Sequence, residues 1–194
     1  MENPVQTHPS THERGGAPFI RSVMEWVETI VMAVVFVTVV FTFLARVITV
    51  DGSSMEPTYH NGDRVLTTTL TGAAHQGDVV IVVNALDEPI IKRVIATEGQ
   101  TVDFDAELGE VVVDGTVVPG SAFGIEDGIT YVADRPGQVL EFPQTVPEGC
   151  VFVMGDNRGN SLDSRFVEVG MVDARNILGK VFFNLYPLAK FGFV

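Results

Sequence analysis

From Trp26 to Arg46 the chain reads WVETIVMAVVFVTVVFTFLAR, with no charged side chain between Thr29 and Ala45, and this run limits what the rest can be. About 20 helical residues rise roughly 30 Å, the thickness of a bilayer's hydrocarbon core. A buried core helix or strand needs neither that length nor that unbroken apolarity. Trp26 and Arg46 stand at the two ends, where an indole ring and a snorkelling guanidinium favour the interface, and Glu28 reaches headgroup water from the first turn. A cleaved leader would have a shorter apolar stretch closed by small residues at alternate positions, whereas Phe43-Leu44-Ala45-Arg46 puts Phe where a small residue belongs. Residues 21–46 are therefore expected to form one uncleaved transmembrane anchor. Charge does not orient it, since Arg14 and Arg21 precede the span while Arg46 and Arg64 follow it.

Residues 1–20 are rich in Pro, Thr, His, Gly and Glu, and are expected to be a disordered tail in which His8 and His12 are idle. His12-Glu13 opens a zincin-like pattern, but Gly16 stands where the second histidine belongs, so no metal site follows.

After residue 47 the helical period gives way to short Val- and Ile-rich runs punctuated by Gly, Asp, Pro and Asn, an all-β pattern. Strands are expected at 47–50, 64–68, 78–83, 90–97, 101–104, 110–113, 116–118, 138–142, 150–154 and 177–183, lengths that suit a coiled barrel or packed sheets. Asp114-Gly115, between Val111-Val112-Val113 and Thr116-Val117-Val118, signals a type I′ hairpin. The stretch from about 98 to 147 is richer in acids, Gly and Pro than its flanks, and reads as a subdomain inserted into a β domain spanning 47–194. With 194 residues, 46% of them hydrophobic, one core and an appendage is the expectation. A formal net charge of -13 with no offsetting basic cluster disfavours nucleic acid as a partner. Cys150 is the sole cysteine and leaves the redox compartment undecided.

Chemistry concentrates in three blocks. Lys92 lies in the apolar strand Ile90-Ile91-Lys92-Arg93-Val94-Ile95, so whichever face is inward, a cation sits among aliphatics. One reading is a charged edge strand that blocks aggregation. The other is a general base, which requires the amine to lose roughly 3 kcal/mol of preference for its proton through desolvation. Ser54 lies in Asp51-Gly52-Ser53-Ser54-Met55-Glu56-Pro57-Thr58 directly after a strand, either as a helix-capping serine in a polar turn or as a nucleophile. Neither the nucleophile elbow, which needs Gly where Glu56 stands, nor Ser-x-x-Lys, which needs Lys where Pro57 stands, fits. His60 and His75, in polar turn-like settings, are read as surface residues rather than members of a triad. The third block runs from Gly155 to Arg165, GDNRGNSLDSR, and follows an apolar strand. It is no EF-hand, because Arg158 occupies a ligand position and Phe166-Val167 stand where a glutamate belongs. Ser161, Asp163 and Arg165 alternate, so an extended backbone would put them on one side and let Asp163 pair with Arg165.

The blocks Gly52-x-Ser54-Met55-x-Pro57-Thr58, Lys92-Arg93-Val94-Ile95 and Gly155 to Arg165 together resemble the bacterial type I signal peptidases. Gly77-Asp78-Val79-Val80, Gly179-Lys180-Val181 and Tyr186-Pro187-Leu188 are similar to further blocks of that family, leaving only residues 97 to 147 weakly matched. The resemblance implies a mainly β, coiled barrel-like catalytic body behind one N-terminal transmembrane helix, in the cytoplasmic membrane with that body on the extracytoplasmic face. It implies a Ser-Lys endopeptidase without metal or cofactor, in which Ser54 attacks, neutral Lys92 moves the proton, and Ser161 orients the lysine with Asp163 and Arg165 behind it. Implied partners are preproteins with signal peptides, the lipid bilayer and the secretion translocase. The substrate is expected to bind as an added strand whose small side chains enter shallow apolar pockets lined by Ile48, Val50, Ile81 and Ile91. Two positions depart from the family: Gly52 replaces a hydroxyl that helps some members hold the oxyanion, and Gly159 replaces the usual acid. Two alternatives remain beside general signal-peptide removal: a peptidase dedicated to a pilin or conjugation component, and a catalytically silent membrane-anchored domain that binds exported peptides.

Overall fold

The computed structural model describes residues 17–39, 45–69, 72–132 and 137–194. The chain divides into two units, Met1–Phe41 and Thr42–Val194. In the first, helix α1 (Ala17–Val39) has 23 residues and so rises about 34 Å. Trp26, Met32 and Phe36 on it are exposed. Among the described residues it is the one helix long and apolar enough to cross a membrane. Most of the tail expected over 1–20, with His8 and His12, lies outside the described residues, and the helix already includes 17–20. Arg46 does not stand at a helix end: it lies on strand β1 (Ala45–Thr49), opposite Thr67. The β-branched run Val47-Ile48-Thr49 favours that extended backbone.

The second unit is mainly β. After β1 come β2 (Arg64–Thr68), β3 (Val79–Val82), β4 (Ile90–Thr97), β5 (Thr101–Asp105), β6 (Glu110–Val113) and β7 (Thr116–Val118). Then follow β8 (Gln144–Thr145), β9 (Cys150–Met154), β10 (Val172–Asp173), β11 (Ile177–Tyr186) and β12 (Gly192–Phe193). One antiparallel sheet has the order β1-β2-β11-β3-β4-β9-β10, with β12 added on β11, and a smaller one the order β7-β6-β5-β8. Register shifts in β11, between Val181 and Phe183 and between Asn184 and Tyr186, and in β4 between Val94 and Ala96, mark where the large sheet bends.

Asp114 and Gly115 both take positive φ, 51° and 75°, as a type I′ turn demands, and close β6 onto β7 with Val113 opposite Thr116. Residues 138–142 do not form the expected strand. Val139 makes an isolated bridge to Phe166, while Phe142 turns inward and stacks edge-on with Phe104 and Phe152 at ring distances of 4.6 and 5.9 Å. The apolar residues that suggested a strand are satisfied by this packing, and Pro143 withholds the next ladder donor.

Three apolar clusters hold the unit. Val50, Met55, Tyr59, Val79, Ile81 and Ile91 form the first, beneath the turn that carries Ser54. Ile95, Val102, Val111, Phe152 and Met154 join the two sheets. Val80, Val82, Val94, Val151 and Val153 form the third. Strand β4 contributes to all three and is buried along Ile91 to Ala96, which makes it the centre of the body.

Two glycines separate backbone strain from crowding. At Gly115 (φ +75°) an added Cβ meets open space, whereas at Gly109 (φ +66°) it would lie 2.5 Å from the Gly128 carbonyl oxygen. Gly115→Ala is expected to lower unfolding free energy by about 1 kcal/mol and Gly109→Ala by about 1–3 kcal/mol more. Urea unfolding of the two variants checks the order, and equal losses would contradict it.

Candidate active site

Lys92 and Arg93 are neighbours on β4, so the pleat sends the two cations to opposite faces. Lys92 pairs across the ladder with Val80 and is 3% exposed. Its Nζ donates to Ser54 Oγ at 2.7 Å and to the Ile91 carbonyl at 3.0 Å. Burial lowers the lysine from its ordinary 10.5 to about 8; Asp163 and then Asp156 pull upward against it, and Arg165 pushes down. The environment thus produces an amine that gives up its proton more readily than a solvated lysine.

Ser54 reaches that position because the chain turns after β1. Gly52 adopts φ +86°, and its N–H donates to Asn61 Oδ1 at 3.0 Å. Met55 and Tyr59, both buried in the first cluster, anchor the far side of the turn, with Tyr59 N–H donating to the Met55 carbonyl at 2.8 Å. The third block then clasps the serine segment. Asn157 donates from its backbone to the Ser54 carbonyl at 3.0 Å and from Nδ2 to the Ser53 carbonyl at 3.1 Å, while Asn160 Nδ2 donates to Ser53 Oγ at 3.0 Å.

Asp163 and Arg165 form a bidentate pair, Nε to Oδ1 at 2.8 Å and Nη2 to Oδ2 at 2.9 Å, with both side chains buried. The backbone there is a turn rather than the expected extended segment: Phe166 N–H donates to the Asp163 carbonyl at 2.9 Å. Asp163 also accepts from Gly155 N–H at 2.9 Å. Ser161 Oγ is buried but makes no hydrogen bond, so the expected bond to Lys92 is not formed. It still lies beside the serine segment, since a Cβ on Gly155 would collide with both Ser161 Oγ and the Ser54 carbonyl oxygen.

A second buried pair escaped the sequence reading. Arg93 Nε and Nη2 donate to Asp156 Oδ1 and Oδ2 at 2.8 and 2.6 Å, and Nη1 donates to the Gly77 carbonyl at 2.8 Å. Asp156 is 0% exposed and also accepts from Thr58 Oγ1 at 2.5 Å. The register explains the meeting, because Arg93 stands opposite Met154 and Asp156 follows two residues later. Part of the signal was present, since a guanidinium in an apolar strand requires an acid, but nothing local names Asp156 as that acid. Arg158, also buried, donates from Nη1 to Thr130 Oγ1 at 2.6 Å, a contact that no local pattern announces. His60 and His75 lie instead against Lys190 and Lys180, each ring Nδ1 3.4 Å from the ammonium nitrogen.

Ile48, Val50, Ile81 and Ile91 line one cleft of about 390 Å³. An adjoining cleft of about 340 Å³ shares Asp51, Glu88 and Ile91 with it and reaches Ser54 and Lys92. Among the described residues no group of three or more His, Cys, Asp or Glu is placed to hold a metal ion.

A serine hydroxyl against a desolvated amine, beside an apolar groove, is equipped for acyl transfer. The profile of the family described as signal peptidase, peptidase S26, matches residues 23–186. The chain is 35% identical over 174 residues to signal peptidase I S of Bacillus subtilis, covering 86% of this chain and 91% of that relative. Signal peptidase I of Bacillus licheniformis is 33% identical over 86% of this chain and 90% of its own. Signal peptidase IB of Staphylococcus aureus is 29% identical over 88% and 93%. A solved signal peptidase I from Enterococcus faecalis is 22% identical, covering 56% of this chain and 97% of its own with a TM-score of 0.41.

Asp156→Asn would leave the Arg93 guanidinium buried without a counter-charge, a loss of about 3–5 kcal/mol of stability. Adding Arg93→Met is expected to restore most of it. Denaturant unfolding of the single and double variants measures both, and a loss in the single variant below about 1 kcal/mol would disagree with the pairing.

Proposed function

Because the chain belongs to the signal peptidase, peptidase S26 family, we propose that Ser54 is its nucleophile and Lys92 its general base. The protein is a serine endopeptidase that removes signal peptides from preproteins. The observation that carries the residue assignment is the 2.7 Å contact between Lys92 Nζ and Ser54 Oγ at a site where burial brings the amine to about 8.

In the reactive form the amine is neutral and the hydrogen bond reverses, the Ser54 hydroxyl donating to the nitrogen lone pair. As Oγ bonds to the scissile carbonyl carbon, its proton passes to Nζ and the carbonyl oxygen gains negative charge. The Ser54 N–H is the donor for that charge, since Gly52 brings no hydroxyl. Lys92 then gives the proton to the departing amine nitrogen, the peptide C–N bond breaks, and an acyl-enzyme remains. Water attacks the ester, its proton going to Lys92 and then to the Ser54 oxygen as the serine is released. Ser161, Asp163 and Arg165 are positioning residues in this reading: the ion pair neutralises the carboxylate that bears most on Lys92, and Ser161 packs against the serine segment.

The part of the substrate before the scissile bond lies extended along Ile48, Val50, Ile81 and Ile91, whose clefts take small side chains. Helix α1 holds the enzyme in the bilayer, with the β body on the extracytoplasmic face where preproteins emerge from the translocase. The second sheet, β5 to β8, belongs to the subdomain inserted at about 98–147.

Ser54→Ala and Lys92→Met are each expected to lower preprotein cleavage at least ~10²-fold while the protein stays folded and membrane-bound. Near-parental cleavage by either variant, followed on gels with a signal-peptide substrate, would sink the assignment. The rate should fall about tenfold per pH unit below about 8, as Lys92 takes up its proton, and level off above, unchanged by His60→Ala with His75→Ala. Stability also rises with pH, but over a higher window. The folded lysine sits below its unfolded value of 10.5, so holding it charged strains the fold fully below about pH 8, and the strain is relieved as pH rises toward 10.5. Lys92→Met should therefore be more stable than the parent at pH 7, by up to about 3 kcal/mol in denaturant unfolding.

A further inference from the structure

A larger cleft of about 570 Å³, sharing no lining residue with the apolar clefts, takes no part in the proposed reaction. Its lining includes Gln138, Asn160, Ser161, Leu162, Val167 and Glu168. Two of these touch the serine segment: Asn160 Nδ2 donates to Ser53 Oγ at 3.0 Å, and Ser161 Oγ sits, with the Ser54 carbonyl oxygen, against the space a Gly155 side chain would fill. The serine segment thus meets both kinds of cleft: one apolar cleft is lined by Ser54 itself, and the polar cleft borders the segment through Asn160 and Ser161.

The walls of this cleft are tied together by main-chain bonds. Leu140 N–H donates to the Arg165 carbonyl at 2.9 Å and Val167 N–H to the Gln138 carbonyl at 3.0 Å. The volume is in the range that encloses a peptide-sized ligand. The lining differs from that of the first clefts: amides and a carboxylate alternate with the exposed apolar side chains of Leu162 and Val167. An extended substrate strand crossing Ser54 does not reverse direction within one residue, because about 3.3 Å of backbone separates successive side chains and they alternate sides. If one arm of the strand lies along Ile48 and Ile91, the other arm leaves beyond Ser54.

We infer that this polar cleft binds the substrate segment after the scissile bond, the first residues of the exported product, as a hydrophilic extended peptide. The inference rests on the assignment of Ser54 as nucleophile. The cleft acts on selection and binding: it takes no part in proton transfer, and it holds the leaving segment until the amine has received its proton from Lys92.

Gly159, which also lines the cleft, offers a clean obstruction, since a side chain added there meets nothing within 4 Å and its φ is ordinary. The full chain in detergent micelles is assayed with two synthetic signal-peptide substrates, one ending a single residue past the scissile bond and one continuing for several polar residues. The parent should cleave the longer peptide with kcat/KM about tenfold above the shorter. Gly159→Trp should reduce that value about tenfold for the longer peptide and leave the shorter within about twofold. Val167→Trp, at a position 54% exposed, reads the same cleft should the first variant fold poorly. Equal loss on both substrates, or no loss on either, overturns the inference. Cleavage of the shorter peptide by the parent and its abolition in Ser54→Ala test the nucleophile separately, so failure of one reading is told apart from failure of the other.

Discussion

In the proposed dyad of Ser54 and Lys92, a buried amine must be kept uncharged while carboxylates lie close to it, and most of the site follows from that conflict. Desolvation favours neutral Lys92, but Asp163 and Asp156 both favour its proton. An unpaired carboxylate beside the amine would hold it as an ammonium and leave Ser54 without a base. Each acid is instead engaged bidentately by an arginine, Asp163 by Arg165 and Asp156 by Arg93. Buried ion pairs contribute little net stability compared with apolar residues of the same volume. Their value here is electrostatic: each pair neutralises the field of an acid whose hydrogen bonds are needed for geometry. Asp163 accepts from Gly155 N–H, which folds the third block on itself, and Asp156 accepts from Thr58 Oγ1, which ties that block to the serine turn.

The same economy explains why this region is built from turns. A turn exposes backbone and side-chain donors that a strand would commit to its ladder. The segment from Gly155 to Arg165 uses them to hold Ser53 and Ser54 through Asn157 and Asn160, and to cap the free edge of β9, where Ser164 N–H donates to the Val153 carbonyl and its hydroxyl accepts from Val153 N–H, both at 3.0 Å. Gly155 is required because the third block and the serine turn approach so closely that no side chain fits between them.

What the sequence disclosed and what it hid divide along range of interaction. Strands 64–68, 90–97, 110–113, 116–118 and 150–154 are legible because Val- and Ile-rich runs and flanking turn residues are local properties. The Asp114-Gly115 hairpin is legible for the same reason. Residues 138–142 mislead because Phe142 is apolar for a tertiary purpose, stacking between Phe104 and Phe152. Lys92 stands out because a lysine within an apolar strand violates a local expectation, whereas Ser54 stands in an ordinary polar turn and is singled out by the resemblance of its block. The Arg93 to Asp156 pair was hidden because its members are 63 positions apart and meet only through the pairing of β4 with β9. The unbonded Ser161 hydroxyl was hidden because alternation presumed an extended backbone where the chain turns.

Strand β4 is where these constraints meet, and its register leaves no freedom. It lies between β3 and β9, with Val80 opposite Lys92, and Val79 and Met154 opposite Arg93. A slip of one residue would send each cation to the other face, and depending on its direction would set either the guanidinium beside Ser54 or the amine beside Asp156. A guanidinium stays protonated and is no base, and an amine paired with Asp156 would be held as an ammonium. Arg93 is fixed by three hydrogen bonds and by the Phe123 ring, 5.2 Å from its guanidinium carbon. Lys92 makes two, to Ser54 and to the carbonyl of Ile91. The more strongly held cation therefore sets the register, and the more weakly held one is left free to exchange a proton.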